Sequence, residues 1–164
     1  MIKSRNNEVV IVIGLQDYLS TPERPCLVVR QNQVAPIPPY PYVSYTVTSP
    51  VLSRGGTYSV ASDGTRYKRL QQAWSFTVQS DDPDEALELG IRMYNFFALS
   101  GITLLADNGI TVDSAGNVSA RDNLLSIEYE HRCGMDVTFG LLHQIADEGK
   151  DAQDPIETFD FKEV

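Results

Sequence analysis

Four carboxylates fall within five residues at Asp81, Asp82, Asp84 and Glu85. Such a cluster could hold a divalent cation or share protons as an acid/base pair. The spacing favours neither. A calcium loop of the EF-hand type needs acids at alternating positions, a central glycine and a distal glutamate, and none of these is present. Pro83 instead suits the first residue of a helix. That makes Asp82 the N-cap and Glu85 the third helical residue, which is the spacing of a capping box. The remaining acids then lie where the helix dipole favours negative charge.

Other reactive groups are sparse. The histidines are His131 and His143, and the cysteines are Cys26 and Cys133. His131 and Cys133 would share one face of a strand, but a lone His-x-Cys lacks the further ligands of a zinc site. The cysteines, far apart in sequence, read as two buried thiols, with a disulfide as the unsupported alternative. There is no G-x-S-x-G elbow and no Walker motif. "SRGG" and "SDGT" are glycine-rich but open no helix, so they predict no phosphate cradle. No catalytic, metal or cofactor residue is assigned. The positive concentration is Arg66, Lys68 and Arg69, with Arg54 across a predicted hairpin. A solvated hairpin face is the plain reading of these four; docking against an acidic surface, including another copy of the chain, is the functional one.

The elements that carry these residues follow from pattern. "NNEVVIVIGLQDYLS" is β-branched enough for a strand, but its length, the cap residues Asn6 and Asn7 and the Leu15/Leu19 spacing favour a helix. "CLVVRQNQ" is a short strand. Pro36, Pro38, Pro39 and Pro41 make an extended, unpaired approach to a strand in which Val43, Tyr45 and Val47 alternate with polar residues. Gly55, Gly56 and the Asp63-Gly64 turn signal a projecting hairpin arm. Trp74, Phe76 and Val78 alternate on the return strand. The next helix is expected to bury Ala86, Leu87, Gly90, Ile91, Tyr94, Phe97 and Ala98 and to stop at Gly101. Asn108-Gly109 and Ala115-Gly116-Asn117 are turns. A last strand region carries Ile127, Tyr129, Met135, Val137 and Phe139, with Gly134 predicting a bulge or bend.

The expected fold is α+β: a mainly antiparallel sheet, an N-terminal helix and one long central helix packed on it, a projecting hairpin arm and an extended C-terminal tail. Residues 1–145 are expected to form a single domain and 146–164 an acidic tail or arm. In that tail Phe159 and Phe161 have strand spacing and could pair with a sheet edge, or the tail could simply fray. The net charge of −9 argues against sequence-independent DNA binding. No apolar run reaches the roughly 20 residues of a membrane span; "VVIVIGL" has Lys3 and Arg5 ahead of it but no small-residue cleavage pattern after it, so no signal peptide is expected.

Three blocks, "PIPPYPYVSYTV", "WSFTVQSDDPDEALELG" and "SIEYEHRCGMDVTFGLL", occur in the same order in, and together resemble, the neck-terminator or tail-terminator-like proteins of tailed bacteriophages. The shared pattern is a proline-rich approach to a tyrosine-rich strand, a strand running into an acidic helix start, and a late strand pair ending in an Arg-Gly-aromatic-Asp-like turn. That turn would be "RCGMD" (Arg132 to Asp136), with Met135 in place of the aromatic. The resemblance covers roughly residues 26 to 143 and leaves out the tail. It implies a structural virion protein with no catalytic residues. Such proteins form rings, commonly hexamers, that end the tail and join it to the head connector; tail tube or sheath proteins would be the partners on the other side. DNA would pass through the lumen without specific binding, and assembly would occur in the host cytoplasm. Another neck, collar, baseplate or head-completion adaptor is an alternative. A small metal-dependent enzyme using the Asp81/Asp82/Asp84 cluster is a further one.

Overall fold

A computed structural model describes residues 4–52, 55–122 and 130–145. The fold is α+β: among the described residues, three α-helices lie on a seven-stranded, mostly antiparallel sheet. Helix α1 (Ser4–Leu19) leads into β1 (Leu27–Arg30), and β2 (Tyr42–Leu52) follows the proline segment. A short β3 (Ser59–Val60) precedes the long β4 (Arg66–Ser80), which runs into α2 (Pro83–Asn95). A π-helical turn (Phe96–Ser100) and α3 (Ile102–Asp107) come next, then β5 (Ile110–Ala115), β6 (Ser119–Ala120) and β7 (His131–Ile145). The strand order is β1-β2-β4-β7-β5, with β3 on β4 and β6 on β7. Among the described strands only β1 and β2 run parallel.

The spine is the β4/β7 ladder, which pairs without a register break from Arg66/Ile145 to Ser80/His131. Unbroken pairing keeps side chains alternating strictly between the two faces. Trp74, Phe76 and Val78 on β4 and Met135, Val137 and Phe139 on β7 therefore share one face and are all buried. The helices cover that face. Phe76 lies 4.9 Å from Phe97 between ring centroids, and Phe139 stands edge-on to Trp74 at 5.6 Å. Edge-to-face and tilted pairs of this kind suit the ring quadrupoles. The other face carries Ser44, Thr46, Ser75, Thr77, Thr138 and their neighbours, in the apolar-in, polar-out pattern of a half-covered sheet.

Helix α1 wins over the strand alternative through packing. Ile11, Leu15 and Leu19 recur at helical spacing and are buried, while Tyr45 donates its hydroxyl to Glu8. Residues 6 and 7 lie inside α1 rather than capping it. Gly14 faces α3 and the π turn: a Cβ there would come within 2.8 Å of Leu104 and 3.3 Å of Phe96.

Several expectations are corrected. Gly101 does not stop the helix; the chain passes a π turn and resumes as α3. Its missing side chain makes room for Phe96, whose ring would lie 2.6 Å from a Cβ. The helical run ends at Asn108-Gly109, where Gly109 takes a φ of 75° and accordingly favours glycine. Gly134 is not a bulge, since its pairing with Thr77 is regular. "RCGMD" is accordingly straight strand, not a turn. Bulges occur instead in β2, on both sides of Ser49, and in β5 between Val112 and Ser114. Of the expected apolar face, Ala86, Gly90 and Phe97 are buried, with Leu89 and Met93 beside them. Leu87, Ile91 and Tyr94 are exposed. They sit about a third of a turn round the helix from the buried stripe, which the 100° step per residue allows. Ile127 and Tyr129 lie outside the described residues.

Candidate assembly surfaces

The acidic run is a helix start. Asp82 has extended backbone, and its carboxylate accepts from the Asp84 N–H at 2.9 Å and the Glu85 N–H at 3.4 Å. Pro83 is the first helical residue. Glu85 does not close the capping box directly. The Asp82 N–H donates to Ser80 Oγ at 3.1 Å, and Ser80 Oγ donates to Glu85. The remaining Glu85 capacity goes to Arg24, whose Nε and Nη2 donate at 2.6 and 2.8 Å. The Arg24 guanidinium, helped by Ser80, holds the Glu85 carboxyl below its usual range against the opposing effect of burial. The run thus ties the α1–β1 connection to the start of α2, and Arg92 adds a bond from Nη2 to the Tyr18 carbonyl. Among the described residues no group of three or more His, Cys, Asp or Glu is placed to hold a metal ion. Cys26 and Cys133 are free and buried, and burial pushes the Cys26 thiol up to about 11. Such thiols are poor nucleophiles.

The basic cluster is divided by strand alternation. Arg66 and Lys68 project to the same side as Trp74, beyond the helices, and Lys68 lies 5.3 Å from the centre of the Tyr58 ring. Arg69 projects to the opposite side, where it pairs with Asp113 at 2.9 Å and donates to Thr111. Asp113 also accepts from Gln71, and these three partners lower its carboxyl despite partial burial. The odd and even numbering of these residues already carried that division. Arg54, Phe159 and Phe161 lie outside the described residues.

Around the arm, β3 pairs with Arg66 and Tyr67. The Ala61–Thr65 turn closes through Ala61 N–H to the Thr65 carbonyl, with Asp63 accepting from the Thr65 N–H. Val51, Val60, Leu142 and Ile145 are exposed here. Pro50 lies in the bulged reach of β2, where a missing donor is tolerated. The arm is therefore a basic and apolar blade.

The helix-free face has a different electrostatic character. Arg121 lies across Gly134, whose Cβ would clash with it, and donates to Ser75 at 2.7 Å, Thr77 at 3.1 Å and Asp136 at 2.9 Å. Arg132 pairs with Glu130, which also accepts from Tyr40. With Arg69 and Asp113, three arginines on this face each meet a carboxylate, leaving the face polar rather than cationic.

Sequence reading missed the floor under the proline segment. Gln79 is 7% exposed and donates through Nε2 to Ser44 Oγ at 2.8 Å. Its Oε1 is buried without a hydrogen-bond partner among the described residues. An acceptor left in that state costs about 1–3 kcal/mol. No local signal marks it, because the loop, Ser44 and Gln79 meet only in the folded sheet. The exposed Leu87, Ile91 and Tyr94 stripe was missed because a broad apolar face hides which side is buried.

Against known families, the sequence matches the one described as phage neck terminator protein over residues 10–164. The chain belongs to that family. The match takes in the acidic tail, which the block resemblance did not. No curated protein matches the chain. Membership gives the terminator a structural role in the phage neck and makes it a virion component. No described helix is long and apolar enough to cross a membrane.

Proposed function

We propose that this neck terminator protein assembles into a closed ring, commonly a hexamer in such proteins, at the head–tail junction. There it ends the tail and joins it to the head connector, acting as a building block and not as a catalyst. The observation that carries the reading is the family match over nearly the whole chain. Two surface features support it. A basic, apolar arm and an acidic segment on one chain suit a heterologous, head-to-tail contact, which closes into a ring when the rotation is right. The arm residues Arg66, Lys68 and Arg69, with Arg54, are the subunit or partner contacts in this reading, and Phe159 and Phe161 are those of the tail. Residues 1–145 form the body and 146–164 the arm that leaves it.

Head-completion or connector proteins lie on one side of the ring and tail tube or sheath proteins on the other. DNA passes through the lumen without specific binding, and the ring is assembled in the host cytoplasm before it joins the particle. A net charge of −9 and a sheet face whose arginines are paired suit a passage that must not retain phosphates. Electron microscopy of particles carrying a labelled copy of the chain tests the location. Label at the neck of finished particles is expected; label on the capsid shell or the distal tail tip contradicts it. Negative-stain images of the purified chain test the ring.

A further inference from the structure

The proline segment and the sheet enclose a cavity of about 240 Å³. Its roof is the Gln31–Pro38 loop, and its floor is Tyr42, Ser44 and Gln79 on the helix-free face. Two features bear on an occupant. Pro36 and Pro38 offer apolar walls with no N–H to satisfy. The buried Gln79 Oε1 lacks a donor among the described residues, so an N–H entering from the cavity would complete the floor. The charged residues of the lining are Arg30 and Arg132; Arg132 is held by Glu130 at 2.5 Å and Arg30 lies 3.9 Å from Glu8, which leaves the lining polar rather than cationic. A fitting ligand is an extended peptide with an aromatic side chain and free amides.

The chain itself carries such a peptide. "ETFDFKEV" alternates Phe159 and Phe161 with Thr158, Asp160 and Lys162, and the tail around it is acidic. We propose that the cavity beneath the proline loop seats the Thr158–Lys162 segment of a second copy of this chain, with a phenylalanine between the prolines and a backbone N–H toward the Gln79 Oε1. This rests on the ring reading and names one of its contacts.

Chain length favours a second copy. The tail leaves the described sheet at Ile145, which pairs with Arg66 at the arm end, whereas the cavity lies by Arg132 and Gln79. Those ends are separated by about 43 Å at roughly 3.3 Å per strand residue. Phe159 follows Ile145 by fourteen residues, which reach at most about 46–50 Å when fully extended. Returning to its own cavity would leave almost no slack for the reversal at the arm tip. A neighbour set head to tail brings a cavity nearer that tip.

Cysteine pairing tests the assignment. Ile37 is 78% exposed at the cavity rim, so Ile37→Cys leaves the fold intact, and Lys162→Cys keeps both phenylalanines; the native thiols are buried. Mild oxidation of the full-length double variant is expected to give a ladder of disulfide-linked oligomers, abolished by adding Phe159→Ala and Phe161→Ala. Internally linked monomer alone overturns the second copy as occupant, and no linkage overturns the cavity as the site. A parallel measurement titrates a synthetic Asp154–Val164 peptide into the full-length chain. Binding weakened at least tenfold by Ile37→Asp supports the site, and binding indifferent to that change overturns it. Rings that form normally without cross-linking sink this inference and leave the ring reading standing. Peptide binding by a chain that stays monomeric sinks the ring and upholds the cavity.

Discussion

The two halves of the β4/β7 ladder are built from the same backbone pairing and do different work. From Trp74 to Ser80, against His131 to Val137, the helix-side residues are buried under α2 and the aromatic cluster. From Arg66 to Lys68, against His143 to Ile145, the ladder runs past the helices, and Ile145 is exposed on their side of the sheet. Hydrogen bonding is continuous across both halves, so the ladder alone does not decide stability; burial does. The inner half specifies the fold. The outer half, freed from that duty, can carry charge and apolar surface for another subunit.

The largest effect expected is at the inner half. Phe76→Ala should cost about 3–5 kcal/mol in urea or thermal unfolding, whereas Ile145→Ala, on the same face at a residue 40% exposed, should stay within about 0.5 kcal/mol. Equal losses would dissolve the distinction. Next is a pair of glycines on β7. A Cβ at Gly134 would lie 2.7 Å from the Phe76 carbonyl oxygen and from Arg121, so Gly134→Ala should cost about 1–3 kcal/mol as an overpacked site. At Gly140 the nearest atoms are the movable ends of Thr111, Arg69 and Asp113, and Gly140→Ala should cost clearly less. Asp82→Ala removes the cap where the inner half feeds α2 and should cost about 1 kcal/mol; a gain in stability would discredit the cap.

The smallest effect is one of pH at the same place. Glu85 has a folded pKa below its unfolded one, so its pairing with Arg24 stabilises fully above about pH 4.3. That contribution is lost as the pH falls through the depressed folded value. Glu85→Gln should therefore flatten the acid limb of the stability profile while changing the outer half little. An unchanged profile would mean that the pair adds nothing.

Much of this was legible because the signals were local. The Pro83 start, the Trp74/Phe76/Val78 alternation and the Asn108-Gly109 turn are fixed by neighbours in the chain. Gly101 and Gly134 misled because glycine suggests a stop or a bulge by conformational freedom, while here both serve close approach, to the Phe96 ring and to Arg121 with the Phe76 carbonyl. Those contacts arise only between distant segments. The basic cluster misled differently: three charges adjacent in sequence sit on two faces in space. Glu85 had the right position for a capping box but found a better partner in Arg24, sixty-one residues away. The paired arginines of the helix-free face and the orphaned Gln79 acceptor were likewise invisible before the strands came together.

Native mass spectrometry of the purified chain, beside a variant carrying Arg66→Glu and Lys68→Glu that leaves the Arg69–Asp113 pair in place, puts assembly through the outer half to the test. The expected result is a single closed oligomer of the 18.2 kDa subunit for the unaltered chain, and a folded monomer with a similar melting curve for the variant. An unaltered chain that stays monomeric at micromolar concentration, or a variant that assembles equally well, would contradict it.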